Sequence, residues 1–114
     1  MKQRVNQVNL LIKKELSRII LRELEFPLGT LVTITRVDVT PNLIEARVFV
    51  STLPEEKTKD ILNVLGNNVY ELQQILNRKL IMRPIPKIIF IGESKTKEAA
   101  RVEEILEQLK NDKR

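Results

Sequence analysis

"LIMRPIPKIIF", Leu80 to Phe90, decides how this chain folds. Two prolines bracket one isoleucine, Arg83 stands just before them, and Lys87 leads into Ile88, Ile89, Phe90 and Ile91. Proline lacks an amide hydrogen and pushes the residue before it toward extended geometry. A helix reaching Leu80 must therefore stop here, and a strand must begin at "KIIFI". The unbroken apolar run predicts a central strand covered on its apolar face by helices. Arg83 sits on the corner between the two elements.

Upstream, "PEEKTKDILNVLGNNVYELQQILNRKL" carries Ile61, Leu65, Val69, Leu72, Leu76 and Leu80 at helical spacing. Pro54 suits a first turn, and Glu55 and Glu56 complement the positive end of the helix dipole. Gly66, Asn67 and Asn68 are three poor helix formers in succession. The apolar register is nearly continuous across them, which predicts one helix kinked at Gly66-Asn67-Asn68-Val69 rather than two helices joined by a turn.

Further upstream, "LVTITRVDVT" and "LIEARVFVS" flank "TPN". The first is dense in β-branched residues, and the second alternates Ile44, Ala46, Val48 and Val50 against Glu45, Arg47 and Phe49. Pro41 presets a turn backbone and Asn42 tolerates its tighter position, so the pair reads as a β-hairpin with one buried face. Before it, Val5, Val8, Ile12, Leu16, Ile19, Ile20 and Leu24 define an amphipathic helix from Lys2 to about Leu24, ended by "EFPLGT". After the last strand, "GESKTKEAARVEEILEQLKNDKR" predicts a closing helix with Val102, Ile105, Leu106 and Leu109 on one face and a frayed charged tail over 111–114.

The order is helix, strand, strand, kinked helix, strand, helix: an α+β domain over residues 1–110 with a three-stranded sheet. At 114 residues and 42% hydrophobic content, one core is the reading. Aromatic residues make up only 4%, so the core is aliphatic and an aromatic RNA-stacking platform is nearly excluded. The chain has neither cysteine nor histidine. That removes disulfides, Cys/His metal sites and histidine-based catalysis, so an enzyme would have to work with carboxylates, lysines or a cofactor. Charges interrupt every apolar run at the N-terminus, and nothing approaches the roughly 20 apolar residues of a membrane span. The cytoplasm is the expected compartment.

The net charge of +5 is unevenly placed. Residues 1–22 hold six basic residues and one acid, residues 73–92 hold four basic residues and no acid, and the remainder holds ten basic residues against fourteen acids. If the two basic segments are neighbours, they form one positive field suited to a polyanion.

The chain resembles the ribosome-binding factor A family. The matching residues are the Arg4-Val5 opening of a basic helix, the hairpin "VTITRVDVTPNLIEARVFVS", the junction "MRPIPKIIF" and the closing "EAARVEEILEQL". The resemblance implies a type II KH-like fold. In KH domains a Gly-x-x-Gly loop holds nucleotide backbone; no such motif is present here, and Gly66, Asn67, Asn68 and Val69 stand in its place. Gln73 stands where members of the family commonly carry arginine. The resemblance further implies a non-catalytic, cold-shock-associated assembly factor with no cofactor, metal or small-molecule substrate, a monomer that binds the small ribosomal subunit or its precursor through rRNA and helps the 5′ part of that rRNA mature.

Candidate RNA-binding residues follow from the charge pattern: Arg4, the stripe Lys14, Arg18 and Arg22, and the junction set Arg78, Lys79, Arg83 and Lys87. The stripe either binds phosphate or merely solvates a helix face. Arg83 either meets a phosphate from its rigid corner or caps the carbonyls of the helix ending near Leu80. An interaction adaptor using an exposed sheet edge is the alternative function.

Overall fold

The computed structural model describes residues 2–93. The first helix, α1, runs Lys2–Glu23 and is about 33 Å long at 1.5 Å per residue. Val8, Ile12, Leu16, Ile19 and Ile20 are buried along one face, as the apolar period requires. The chain then turns at Pro27, whose carbonyl accepts the Thr30 N–H at 3.1 Å. Gly29, at φ 82°, supplies the left-handed position that this turn needs.

Strands β1 (Leu31–Val39) and β2 (Glu45–Leu53) pair antiparallel, with Val39 opposite Ala46, Val37 opposite Val48 and Ile34 opposite Val50. The register shifts between Ile34 and Arg36, so β1 carries a bulge at Thr35. In the hairpin turn, Asn42 Oδ1 accepts hydrogen bonds from Thr40 Oγ1 at 2.6 Å and the Ile44 N–H at 3.2 Å. The left-handed residue is Leu43, at φ 60°, and not Asn42. Asn42 instead uses its side chain to fold the turn, and Leu43 packs against the core.

After β2, Pro54 leads into a 3₁₀ turn at Glu55–Lys57 and then α2, Thr58–Asn67. The buried Thr52 ties this start to the sheet: its Oγ1 lies 2.7 Å from Thr58 Oγ1 and donates to the Pro54 carbonyl at 3.1 Å. Helix α3 spans Val69–Lys79. The interruption between α2 and α3 is the single residue Asn68, at φ −109°, ψ 5°. Its Nδ2 donates to the Val64 carbonyl at 2.8 Å, and its own carbonyl accepts the Leu72 N–H at 3.0 Å.

Gly66 lies inside α2 with a negative φ and nothing within 4 Å of where a Cβ would stand. The bend therefore belongs to Asn68, where the side-chain amide reaches back to the preceding turn, and glycine is not its cause. Gly66→Ala is expected to raise stability by up to about 1 kcal/mol, the helix-propensity difference, and to leave the bend in place. Thermal unfolding and backbone shifts at residues 67–72 check this; a straightened helix would return the bend to Gly66.

Strand β3, Lys87–Gly92, pairs parallel to β2, with Ala46 opposite Ile88 and Val48 opposite Phe90. The sheet order is β1-β2-β3, so β2 is central and β3 is an edge strand. This corrects the central position predicted from the apolar run. Parallel pairing follows from the α2–α3 crossover, which returns the chain to the end of the sheet where β2 begins.

One sheet face, carrying Ile34, Val37, Val39, Ala46, Val48, Val50 and Ile88, meets Ile12, Leu16, Ile61, Leu65, Leu72 and Leu76 from the helices. Each fully buried aliphatic side chain contributes roughly 1.5–3 kcal/mol. Gly92 lets α2 approach closely: a Cβ there would stand 2.9 Å from Thr58 Cγ2 and 3.0 Å from Leu62 Cδ1. The fold is α+β, a type II KH-like αββααβ arrangement with a mixed three-stranded sheet. The closing helix predicted after Glu93 lies outside the described residues.

Candidate nucleic-acid interface

The junction read from the sequence is built around Gln73. Its Nε2 donates to the Pro86 carbonyl and to Asn77 Oδ1, both at 3.1 Å, and its Oε1 accepts the Ile88 N–H at 2.8 Å. One amide thus joins the middle of α3 to both sides of the strand start. The Lys87 N–H donates to the Ile44 carbonyl at 2.9 Å, which fixes the other side. A glutamine can serve one carbonyl and one N–H at once because it carries both a donor and an acceptor. Sequence reasoning missed this role; its signal was an uncharged amide, carrying both a donor and an acceptor, one turn before Asn77 in a helix that leads into Pro84 and Pro86.

Arg83 is exposed and follows Leu80, whose backbone N–H still closes α3 on the Leu76 carbonyl at 3.0 Å. Its Nη1 donates to the carbonyls of Met82 at 2.7 Å and Leu80 at 3.1 Å. The capping reading therefore has direct geometric support, and the guanidinium still faces solvent. Arg78 and Lys79, in the last turn of α3, and Lys87, at the first position of β3, are exposed as well. Glu45 lies directly across from Lys87 in the sheet and pairs with Arg47 at 3.6 Å.

The direction of α1 decides which cations share this end. Asn9 Oδ1 accepts the Val39 N–H at 2.8 Å, whereas Ser17, Ile20 and Leu21 lie beside Leu31 to Ile34. Helix α1 thus runs antiparallel to β1, with its N-terminal part at the end where β3 begins. It also packs on α3. Arg4 falls at the junction end with Arg78, Lys79, Arg83 and Lys87. Arg18 and Arg22 fall toward the opposite end, with Lys14 between. All of these are exposed, and Arg18 has Glu15 at 3.8 Å. The single positive field predicted from the sequence is resolved into a junction cluster and a separate stripe on α1.

The sheet face away from the helices carries Arg36, Arg47 and Lys87 against Asp38, Glu45 and Glu93. Arg36 lies over the Phe49 ring at 3.7 Å from its centroid, and its Nε is 3.2 Å from Glu93 Oε1. Thr35 Oγ1 donates to the other Glu93 oxygen. Arg36 and Arg47 are outnumbered by Asp38, Glu45 and Glu93, which makes the body of this face a poor site for a polyanion and leaves Lys87 at its junction edge, and the Thr35 and Arg36 contacts to Glu93 tie the end of β3 to β1. The bend holds Asn67 exposed and Asn68 half-buried, at the far end of α3 from the cluster. Among the described residues, no group of three or more acids is placed to hold a metal ion, and no helix is long and apolar enough to cross a membrane.

Known proteins give this geometry its context. The curated relative from Bdellovibrio bacteriovorus named ribosome-binding factor A is 32% identical over 108 residues, 94% of this chain and 81% of its own length. A Clostridium botulinum protein of the same name is 32% identical over 98% of this chain and 95% of its own. The crystal structure of ribosome-binding factor A from Thermus thermophilus superposes with a TM-score of 0.68, at 23% identity, over 77% of this chain and 94% of that one. A homology model of the Thermus thermophilus factor, fitted into the cryo-electron microscopy map of a 30S complex, matches with a TM-score of 0.62 and 25% identity over 73% of this chain and 88% of that one. The family model for ribosome-binding factor A matches residues 4–106, and with that match spanning nearly all of the sequence, the chain belongs to the ribosome-binding factor A family.

Proposed function

We propose that this protein is a non-catalytic assembly factor that binds the small ribosomal subunit or its late precursor through rRNA. The observation that carries the reading is family membership across residues 4–106, together with the exposed cluster of Arg4, Arg78, Lys79, Arg83 and Lys87 at one end of the fold. The fitted Thermus thermophilus relative in a 30S complex supports the choice of particle. The factor acts in the cytoplasm as a monomer. It favours one rRNA conformation by binding it more tightly than the alternatives, and so aids late maturation, including that of the 5′ region of the rRNA.

Co-sedimentation with free small subunits, large subunits and assembled ribosomes across a salt series tests this. Preferential binding to free small subunits is expected, with log affinity falling against log salt at a slope of roughly −3 to −4, close to one unit per phosphate contact for the junction cluster. Equal binding to all three particles would reduce the protein to a nonspecific basic module. Selective binding that ignores salt would favour the sheet-edge adaptor, in which β1 takes up a partner strand.

A further inference from the structure

At the end of the sheet away from the junction, the C-terminal half of α1 and the start of β1 enclose a groove of about 290 Å³, lined chiefly by Ile20, Leu21, Phe26, Leu31 and Val32. This is at the small end of ligand pockets, which run roughly 300–1,000 Å³, and suits a few aliphatic side chains. Its walls are open: Leu21 is 78% exposed and Leu31 59%. Leu10, 68% exposed, lies on the same side of α1 about three turns before Leu21. The rim is basic. Lys14, Arg18 and Arg22, at successive spacings of four, form the stripe next to Leu21.

An aliphatic groove edged by cations fits an amphipathic helix whose apolar stripe is edged by acids. The chain holds such a sequence in "EAARVEEILEQL", residues 98–109, where Val102, Ile105, Leu106 and Leu109 share one face and Glu103 and Glu107, four apart, flank it. Its point of departure is at the same end of the sheet, across β2 from β1. The Glu93 N–H donates to the Val50 carbonyl at 2.8 Å, and Val50 also lines the groove. Residues 94–97 span up to about 14 Å when extended.

We propose that residues 98–109 dock in this groove of their own chain, seating Val102, Ile105 and Leu106 against Leu21, Phe26 and Leu31. Docking lays Glu103 and Glu107 beside Lys14 and Arg18, matching two rows of opposite charge with the same four-residue repeat. The segment thereby withholds the α1 stripe from a polyanion. That consequence rests on the rRNA reading above; the docking does not.

The chain has no cysteine, so Gln108→Cys in this chain carries one nitroxide label and no other. The backbone amides of Ser17, Leu21, Thr30 and Leu31 are expected to lose most of their intensity relative to the reduced label. Leu21→Glu, at an exposed position, should restore them. Unchanged intensity at those amides overturns the docking. So does broadening seen only when labelled chains are mixed with unlabelled isotopic ones, since the contact is then between copies. If docking holds, Glu103→Gln with Glu107→Gln should raise affinity for purified small subunits roughly three- to tenfold; unchanged affinity would leave the docking standing and overturn the withholding role.

Discussion

Reversing the junction charges, as Arg78→Glu, Lys79→Glu and Lys87→Glu together, is expected to lower small-subunit affinity by at least about a hundredfold at moderate salt and to flatten the salt slope by roughly two units. Each removed cation deletes one counterion-releasing contact, and each new carboxylate adds repulsion to the same phosphates. The fold should tolerate the change. None of the three side chains is buried, and the single cross-strand neighbour, Glu45 opposite Lys87, is also paired with Arg47. Arg83 is left out of this variant because its Nη1 holds the Leu80 and Met82 carbonyls, so its replacement would mix stability with binding. Co-sedimentation and thermal unfolding, run side by side, separate the two. Wild-type affinity in a folded triple variant would remove the junction cluster from the interface.

The elements of this fold were legible wherever one physical signal dominated. The apolar period of α1 runs from Val5 to Leu24 without competition, and the observed helix ends at Glu23. Pro84 and Pro86 end helix and open strand by geometry alone, and β3 begins at Lys87. Signals that depend on what lies opposite were not legible. Ile88 to Ile91 read as a central strand because an apolar run does not disclose which side lacks a partner strand. Propensity placed the helical interruption only within Gly66 to Val69, because three poor helix formers stand in succession there, whereas the deciding interaction is the Asn68 side chain on the Val64 carbonyl.

The candidate site was legible in composition and not in arrangement. Counting charges along the sequence joined residues 1–22 into one cluster, but a helix about 33 Å long carries Arg4 and Arg22 to opposite ends of the sheet. Leu10 and Leu21 lie outside the apolar period of α1, and the placement of its buried face leaves them exposed beside the basic stripe.

Gln73→Leu is expected to be the most damaging single change at the junction. Leucine keeps the volume and helix propensity of α3 but can neither donate to Pro86 nor accept from Ile88. The two backbone groups are held by one side chain at 3.1 and 2.8 Å, in a part-buried position. Leaving a buried polar group unsatisfied costs about 1–3 kcal/mol, so the pair should cost about 3 kcal/mol and lower the melting temperature by roughly 10 °C. Gln73→Glu discriminates between the two bonds, since its carboxylate still accepts from Ile88 but faces the Pro86 carbonyl without a donor. Gln73→Arg keeps the donor and loses the acceptor. If the Ile88 bond dominates, glutamate should be tolerated better than arginine; if the Pro86 bond dominates, the order reverses. Amide exchange at Ile88 reads the same bond directly and should accelerate in the leucine and arginine variants. A leucine variant that melts within about 2 °C of wild type would show that water replaces the glutamine at both groups, and that the prolines alone hold the turn from α3 into β3.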